Sequence, residues 1–230
     1  MKLVLDTIHA RLGTWSLAAH GCFTEGIHLV SGDIGTGKST LALLMAGLFP
    51  ATSGSVTREQ ISSLMISFQF PEYHITGTTV NEECLSWGLE PGEILPALNL
   101  MHYGERDPFG VSRGELKRLH LACVLRRPYD LLILDEPFSS LDVREKQRVC
   151  NQIVSRKSAI TILFTHEQTI LPRVNHIWEI CEGQLVHRGE VPGAIGRWQH
   201  APPLITSLIS AGKTPANLSV EDIREAACRI

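Results

Sequence analysis

Gly32-Asp33-Ile34-Gly35-Thr36-Gly37-Lys38-Ser39-Thr40 stands between an apolar strand candidate at residues 27–30 and a helical run at 41–48. A triphosphate needs many hydrogen-bond donors at short range, with no bulky side chains in the way. Glycines at 32, 35 and 37 let the backbone wrap closely and turn its N–H groups inward. Lys38 adds a point charge able to reach the outer phosphates, and Ser39 offers a hydroxyl to Mg²⁺. The helix that follows presents its positive N-terminal end to the anion. Strand, loop and helix come in the order this chemistry requires. The stretch predicts a nucleoside-triphosphate site with Gly32, Gly35, Thr36, Gly37, Lys38, Ser39 and Thr40 at the phosphates. Asp33 is an acid in a loop built for anions, so its side chain is expected to point away from them.

A chain of 230 residues with 43% hydrophobic content can bury a substantial core, as one domain or as one domain with a smaller lobe. The net charge of -3 gives no overall basic field, and no nucleic-acid partner is expected. The six cysteines, at 22, 84, 123, 150, 181 and 228, form no C-x-x-C pair and read as reduced thiols of a cytosolic protein. The ten histidines show no metal-ligand spacing. The apolar run 41–49 is too short to cross a bilayer, and Met1-Lys2-Leu3-Val4-Leu5-Asp6 lacks a secretory apolar region. The expectation is a chain soluble by itself that can sit on a membrane partner.

A second site follows from Leu131-Leu132-Ile133-Leu134, a continuous apolar run of the kind a strand buried on both faces carries, with Asp135-Glu136 at its carboxyl end. Ligands of open α/β sheets collect at that edge. Asp135 is placed to hold Mg²⁺ through water, and Glu136 to polarise a water toward the terminal phosphate. Between the two sites, 61–68 reads as a strand ending at Gln69, and an inserted lobe of weak apolar periodicity follows. Ser112-Arg113-Gly114-Glu115 opens a helix whose Leu116, Leu119, Cys123 and Val124 share a face, with Ser112 and Glu115 spaced as a capping box. Further on, Ser140-Leu141-Asp142 leads into a helix at 143–154, and 159–165 is a buried strand ending at His166. Residues 174–187 read as a hairpin turning at Glu182-Gly183, with Ile177, Ile180 and Leu185 inward. Pro202-Pro203 marks a boundary before the tail, whose last helix starts at Ser219. Taken singly, Gln69 also reads as a solvated strand end, His166 as a strand-terminal polar residue and Asp142 as a helix N-cap.

This ordered set resembles the ATP-binding subunits of ABC transporters across nearly the whole chain. The segment 32–40 is similar to their Walker A loop, Gln69 to the Q-loop, Ser112-Arg113-Gly114-Glu115 to the LSGGQ signature, 131–136 to Walker B with its catalytic glutamate, Ser140-Leu141-Asp142 to the D-loop and His166 to the switch histidine. The resemblance implies an α/β P-loop NTPase fold of the ABC ATPase type, with a mainly parallel sheet, an N-terminal antiparallel β subdomain and a small inserted helical subdomain. Residues 1–200 would form the ATPase domain, with the insert at about 70–128, and 201–230 a short helical tail. It also implies ATP and Mg²⁺ as ligands and Lys38, Glu136 and His166 as catalytic residues. Ser39, Gln69 and Asp135 would stand at the metal, and Ser112, Gly114, Glu115 and Asp142 at the nucleotide of a second ABC ATPase subunit, identical or a sister chain. The output would pass to a transmembrane subunit at the cytoplasmic face of the membrane.

Within the family, Phe68-Gln69-Phe70-Pro71-Glu72-Tyr73 with Gly77, Thr79-Val80 and Glu82-Glu83 resembles the energy-coupling factor (ECF) ATPases, which drive uptake of vitamins or of cobalt and nickel ions. The tail resembles the end of that group's chains. Three positions depart from the signature: Val111 for Leu, Arg113 for the first Gly and Glu115 for Gln. The aromatic residue that stacks on adenine in the family is His9 or Trp15, and for Trp15 core packing is the competing reading. A soluble non-transport ABC ATPase would need a long coiled coil or tandem ATPase domains, and a P-loop nucleotide sensor would need neither signature nor switch histidine.

Overall fold

The computed structural model describes residues 1–156 and 159–228. Among them, nine strands form one sheet: β1 (Lys2–Leu12), β2 (Trp15–Phe23), β3 (Gly26–Ser31), β4 (Ser53–Glu59), β5 (Leu64–Ser67), β6 (Leu131–Asp135), β7 (Ile160–Phe164), β8 (His176–Cys181) and β9 (Gln184–Glu190). Their order is β4-β1-β2-β9-β8-β3-β7-β6-β5. The helices are α1 (Lys38–Ala46), α2 (Val80–Ser86), α3 (Pro91–Ala97), α4 (Arg113–Arg126), α5 (Val143–Ser155), α6 (Pro203–Ser210) and α7 (Val220–Cys228). This is the mixed α/β architecture expected from the sequence, with antiparallel N-terminal strands beside a parallel set.

Strands β8, β3, β7, β6 and β5 pair in parallel. Both of their faces are covered, so β6 carries an unbroken apolar run rather than alternation, while β3, β7 and β8 bury His28, Thr161 and Glu179 among their apolar residues. The side chains still divide by the two-residue period. Leu131, Ile133, Ile160, Ile162 and Phe164 enter the core shared with α1 and the antiparallel layer. Leu132, Leu134 and Leu163 enter the core shared with α5. Strands β4, β1 and β2 pair antiparallel and join the rest through Ala18 and Gln184.

Several boundaries shift from the sequence reading. The strand expected at 61–68 is only Leu64–Ser67, because the Ser62 and Ser63 N–H groups donate to Asp130 Oδ2 at 2.8 and 2.9 Å instead of to a neighbouring strand. The helix expected at 41–48 starts earlier, at Lys38, and ends at Gly47 in a left-handed cap. Strand β4 gave no signal, since it lies at the sheet edge with only Val56 partly buried. The hairpin at Glu182-Gly183 turns with positive φ at both residues, and Ile177, Ile180 and Leu185 are buried.

The weakly periodic middle segment folds as a lobe with its own core of Val80, Cys84, Ile94, Leu95, Leu100, Leu119 and Cys123. Its helices α2 and α3 are seven residues each, too short to display a period, and α3 contains Pro96. In the tail, Pro202 precedes α6, whose Ile205 is fully buried beside Leu218 in the α5-side core. Ser219 Oγ accepts the Asp222 N–H at 3.2 Å, the cap expected for the last helix.

One core polar group sets an acid limit. His28, on β3, has Nε2 at 2.8 Å from the Thr24 carbonyl and accepts the Trp178 indole N–H on Nδ1 at 3.2 Å, which fixes the neutral Nε2–H tautomer. Burial pushes its pKa down from 6.5 to about 3. Between those values the unfolded state binds the extra proton and the folded state does not, so stability is lost as pH falls through this window. Urea unfolding at pH 7 and pH 4.5 is predicted to show a loss of which His28→Gln removes about 2 kcal/mol. An unchanged pH slope in His28→Gln would contradict the assignment.

Candidate nucleotide-binding site

The in-register pairing of the parallel strands sets Val30 beside Phe164 and Phe164 beside Asp135, so β3, β7 and β6 end level with one another. Four loops therefore leave one edge together: 32–37 after β3, Gln69 after β5, Glu136 after β6 and Thr165-His166 after β7. The loop after β3 relies on left-handed glycines, with Gly35 at φ 83° and Gly37 at φ 98°. Gly37 is also the N-cap of α1. A side chain there would meet the Trp15 indole, whose Cζ2 lies 2.0 Å from an ideal Cβ position.

Lys38 is buried and folds back over the loop, donating to the Gly32 carbonyl at 2.8 Å and the Asp33 carbonyl at 2.9 Å. Burial lowers its pKa, opposed by the charges of Glu136, Asp135 and Asp33. Thr36 ties the turn through its hydroxyl to the Asp33 carbonyl at 2.8 Å. The Asp33 carboxylate is exposed and lies 3.6 Å from His200.

Across the cleft, Asp135 is 5% exposed; burial raises its pKa, opposed by the nearby Ser39 hydroxyl. Its Oδ1 is buried with no protein partner. A buried, unpartnered carboxylate oxygen beside a serine hydroxyl is an oxygen donor set of the kind Mg²⁺ takes, so the residues fit that ion. Glu136 holds a left-handed backbone, φ 47°, and its N–H donates to the Phe164 carbonyl at 2.9 Å. Its buried carboxylate accepts from the Thr165 hydroxyl at 3.1 Å and the His166 N–H at 3.2 Å, and stands 2.7 Å from His166 Nδ1. Trp15, Gly35, Gly37, Lys38, Ser39, Thr40, Gln69, Glu136 and His166 line one cleft of about 490 Å³.

The remaining predicted residues gather elsewhere. Ser112 caps α4, accepting the Glu115 N–H on Oγ at 3.3 Å, while its own N–H donates to Glu115 Oε2 at 2.9 Å. The Ser112 hydroxyl bond also lowers the Glu115 pKa. Asp142 caps α5 through the Glu145 N–H at 2.9 Å. Gly114 packs against the loop before α5, where an added Cβ would sit 2.9 Å from the Ser140 carbonyl. These residues line a separate surface hollow with Arg118 and Glu145. The chain thus brings Lys38, Ser39, Thr40, Gln69, Asp135, Glu136 and His166 together, and holds Ser112, Gly114, Glu115 and Asp142 apart from them.

The comparisons with known proteins show the family. The ABC transporter family model matches residues 22–139, from the end of β2 through the acidic pair. The chain belongs to the ABC transporter family. It is similar to an energy-coupling factor transporter ATP-binding protein of Fusobacterium nucleatum, 31% identical over 70% of each chain. It is also similar to an uncharacterized ABC transporter ATP-binding protein of Mycobacterium tuberculosis, 30% identical over 78% of this chain, which spans only 29% of that relative. The inward-facing structure of a putative metal-chelate type ABC transporter shares the fold, with a TM-score of 0.62 at 20% identity and 82% of each chain covered. An ABC ATPase domain binds ATP, and this cleft is the candidate site for it.

Sequence reasoning missed how this ABC domain braces its phosphate loop from behind. Glu179, fully buried on β8, accepts the N–H groups of Gln199 at 3.0 Å and His200 at 2.8 Å, and also contacts His200 Nδ1 and the Arg188 guanidinium. The ligand atoms of Glu179, Cys181 and His200 lie within 4.8 Å of one another, as a metal site would require. Arg188 fills that position, reaching Cys181 Sγ at 3.4 Å as well. Next to it, the Trp198 indole donates to Ser31 Oγ at 2.7 Å, on the residue before the loop. The signal was spread over β8, β9 and residue 200, with no local spacing to reveal it. Glu179→Ala leaves a guanidinium and an imidazole without their acceptor and is predicted to cost about 3 kcal/mol in urea unfolding. A loss under about 0.5 kcal/mol would show that the brace carries no weight.

Proposed function

We propose that this chain is the ATP-hydrolysing subunit of an ECF-type importer, acting at the cytoplasmic face of the membrane against a transmembrane subunit. The observation that carries the reading is the meeting of Lys38, Ser39, Asp135, Glu136 and Gln69 around one cleft. ATP enters with its phosphates on the loop 32–40, where Gly35 and Gly37 expose backbone donors and α1 presents its positive end. Of the two aromatic candidates, Trp15 lines the cleft against Gly37, whereas His9 lies in the β1 ladder opposite Ala18. Trp15 is therefore the adenine platform in this reading.

Ser39, Asp135 and Gln69 would hold Mg²⁺, which offsets charge on the outer phosphates. Glu136 takes the proton of the attacking water. Its carboxylate is already fixed by Thr165 and by two groups of His166, so no reorganisation is needed at the reaction. His166 uses Nδ1 on Glu136, which leaves the other edge of its ring for the terminal phosphate. The second half of the site comes from another ABC ATPase subunit, whose Ser112, Gly114 and Glu115 close over the nucleotide while Asp142 relates the two sites. The separation of these residues from the cleft supports a trans role for them. The uptake class, a vitamin or a transition-metal ion, rests on the segment 68–83 and on likeness to ECF ATP-binding proteins near 30% identity.

ATP hydrolysis by the purified chain, alone and co-expressed with candidate membrane subunits, tests this reading. Glu136→Gln is predicted to lower kcat by about 10²-fold or more with ATP binding retained. Absence of hydrolysis by the wild type with every partner would sink the proposal. Separately, Trp15→Ala is predicted to raise the Kd for ATP about tenfold and Trp15→Phe much less, the scale of one lost base–aromatic stack. Equal affinities by fluorescence titration would remove Trp15 from the site.

A further inference from the structure

Beyond Ser67 the chain leaves the sheet edge, and its polar backbone groups lose strand partners just before Gln69. Buried backbone groups must be satisfied somewhere. Here the inserted lobe supplies the partners. Lys117 Nζ donates to the Phe68 carbonyl at 3.2 Å and the Gln69 carbonyl at 2.8 Å. His74 Nε2 accepts the Phe68 N–H at 3.1 Å. His120 Nε2 lies 2.9 Å from the Ser67 hydroxyl, and the His74 and His120 rings stack at 4.4 Å. At the far end of the same loop, buried Glu83 accepts the N–H groups of Thr76 and Gly77, both at 2.8 Å.

Lys117 is the unusual member. It is 1% exposed, sits in the interior of α4, and among the described residues makes no ion pair with a carboxylate. Burying an ammonium costs several kcal/mol unless hydrogen bonds and nearby charge repay it. Two carbonyls at hydrogen-bond distance and the fields of Asp135, Glu136 and Glu72 are what surround it. A purely packing role would be filled at lower cost by Leu or Met. Lys117 and His120 are also spaced i, i+3, on one face of α4, so the helix touches the Ser67–Gln69 corner at two points. The same helix begins at Ser112, little more than one turn before Lys117.

We infer that Lys117 is a positioning residue that fixes the Gln69 backbone to α4, so that displacement of the Ser112 end of that helix is transmitted to Gln69 in the nucleotide cleft. This deepens the reading above and rests on it, since Gln69 matters only if the cleft hydrolyses ATP. Lys117 touches neither nucleotide nor metal. Its effect is on where Gln69 stands when Mg²⁺ and ATP are bound.

The test compares wild type, Lys117→Met, which keeps length and removes the ammonium, and Lys117→Gln, which keeps a donor. Lys117→Met is predicted to lower kcat about tenfold and raise the Mg²⁺ concentration for half-maximal rate severalfold, with ATP affinity in EDTA within twofold of wild type. Lys117→Gln is predicted to recover part of both losses. In the nucleotide-free protein, amide exchange in a peptide spanning 67–76 should accelerate about tenfold in Lys117→Met and stay unchanged in β6 and β7. If Lys117→Met matches wild type in kcat, Mg²⁺ requirement and exchange, the inference is overturned. A uniform loss of ATP binding and of exchange protection across all strands overturns it equally, by assigning Lys117 a general structural role. Should Lys117→Met fail to fold, Lys117→Gln decides alone: wild-type kcat and Mg²⁺ requirement overturn the inference, and an intermediate loss of both supports it. A wild type without hydrolysis would instead bring down the underlying reading, a result separate from all of these.

Discussion

The level ending of β3, β7 and β6 is the constraint on which the site depends. Parallel pairing places Val30, Phe164 and Asp135 in one row across the sheet. A phosphate loop, an acidic pair and a polar strand end must then emerge side by side. Glu136 shows how tightly this is used. Its backbone N–H bonds to Phe164 on the neighbouring strand, and its carboxylate returns to Thr165 and His166 on that strand's extension. A slip of one residue between β6 and β7 would turn every side chain to the opposite face and separate Glu136 from Thr165 and His166. The apolar runs of these strands thus secure packing and chemistry by the same register.

Around that row the fold arranges two supports of different kind. Behind the phosphate loop, buried Glu179 gathers Arg188 and His200 and binds the chain after β9 to the sheet, while Trp198 reaches Ser31. On the other side, Lys117, His74 and His120 hold the corner at Ser67–Gln69 to the inserted lobe. The first is a closed ionic cluster whose groups satisfy one another. The second leaves polar capacity unused, since His120 Nδ1 is buried without a partner and Lys117 spends its charge on carbonyls.

The contiguous signals were legible in the sequence. The glycine spacing, the Lys-Ser pair, the Asp-Glu after Leu131-Leu132-Ile133-Leu134 and the capping box at Ser112 each lie within a few residues, and their geometry is local. What escaped was non-local or unperiodic. Strand β4 buries little beyond Val56 and so carries no alternation, and seven-residue helices show no period. Asp130 shortens β5 from 68 residues away. Lys117 carries no local signal, because its hydrogen-bond partners lie 48 and 49 residues distant. Between Trp15 and His9, only the packing of the indole on Gly37 discriminates.

The cleft around Lys38 and Glu136 and the capped turn at Ser112 are separate in the chain, and the proposed function makes them two halves of one site. Two copies placed head to tail would make both halves whole, with nucleotide as part of the interface. Light scattering on Glu136→Gln at saturating Mg-ATP addresses this most directly. The account predicts a particle of twice the chain's mass, returned to single mass when Ser112→Arg is added in the same background. A particle of single mass in Glu136→Gln with ATP fully bound, both alone and mixed with a candidate sister ATPase subunit, would contradict it.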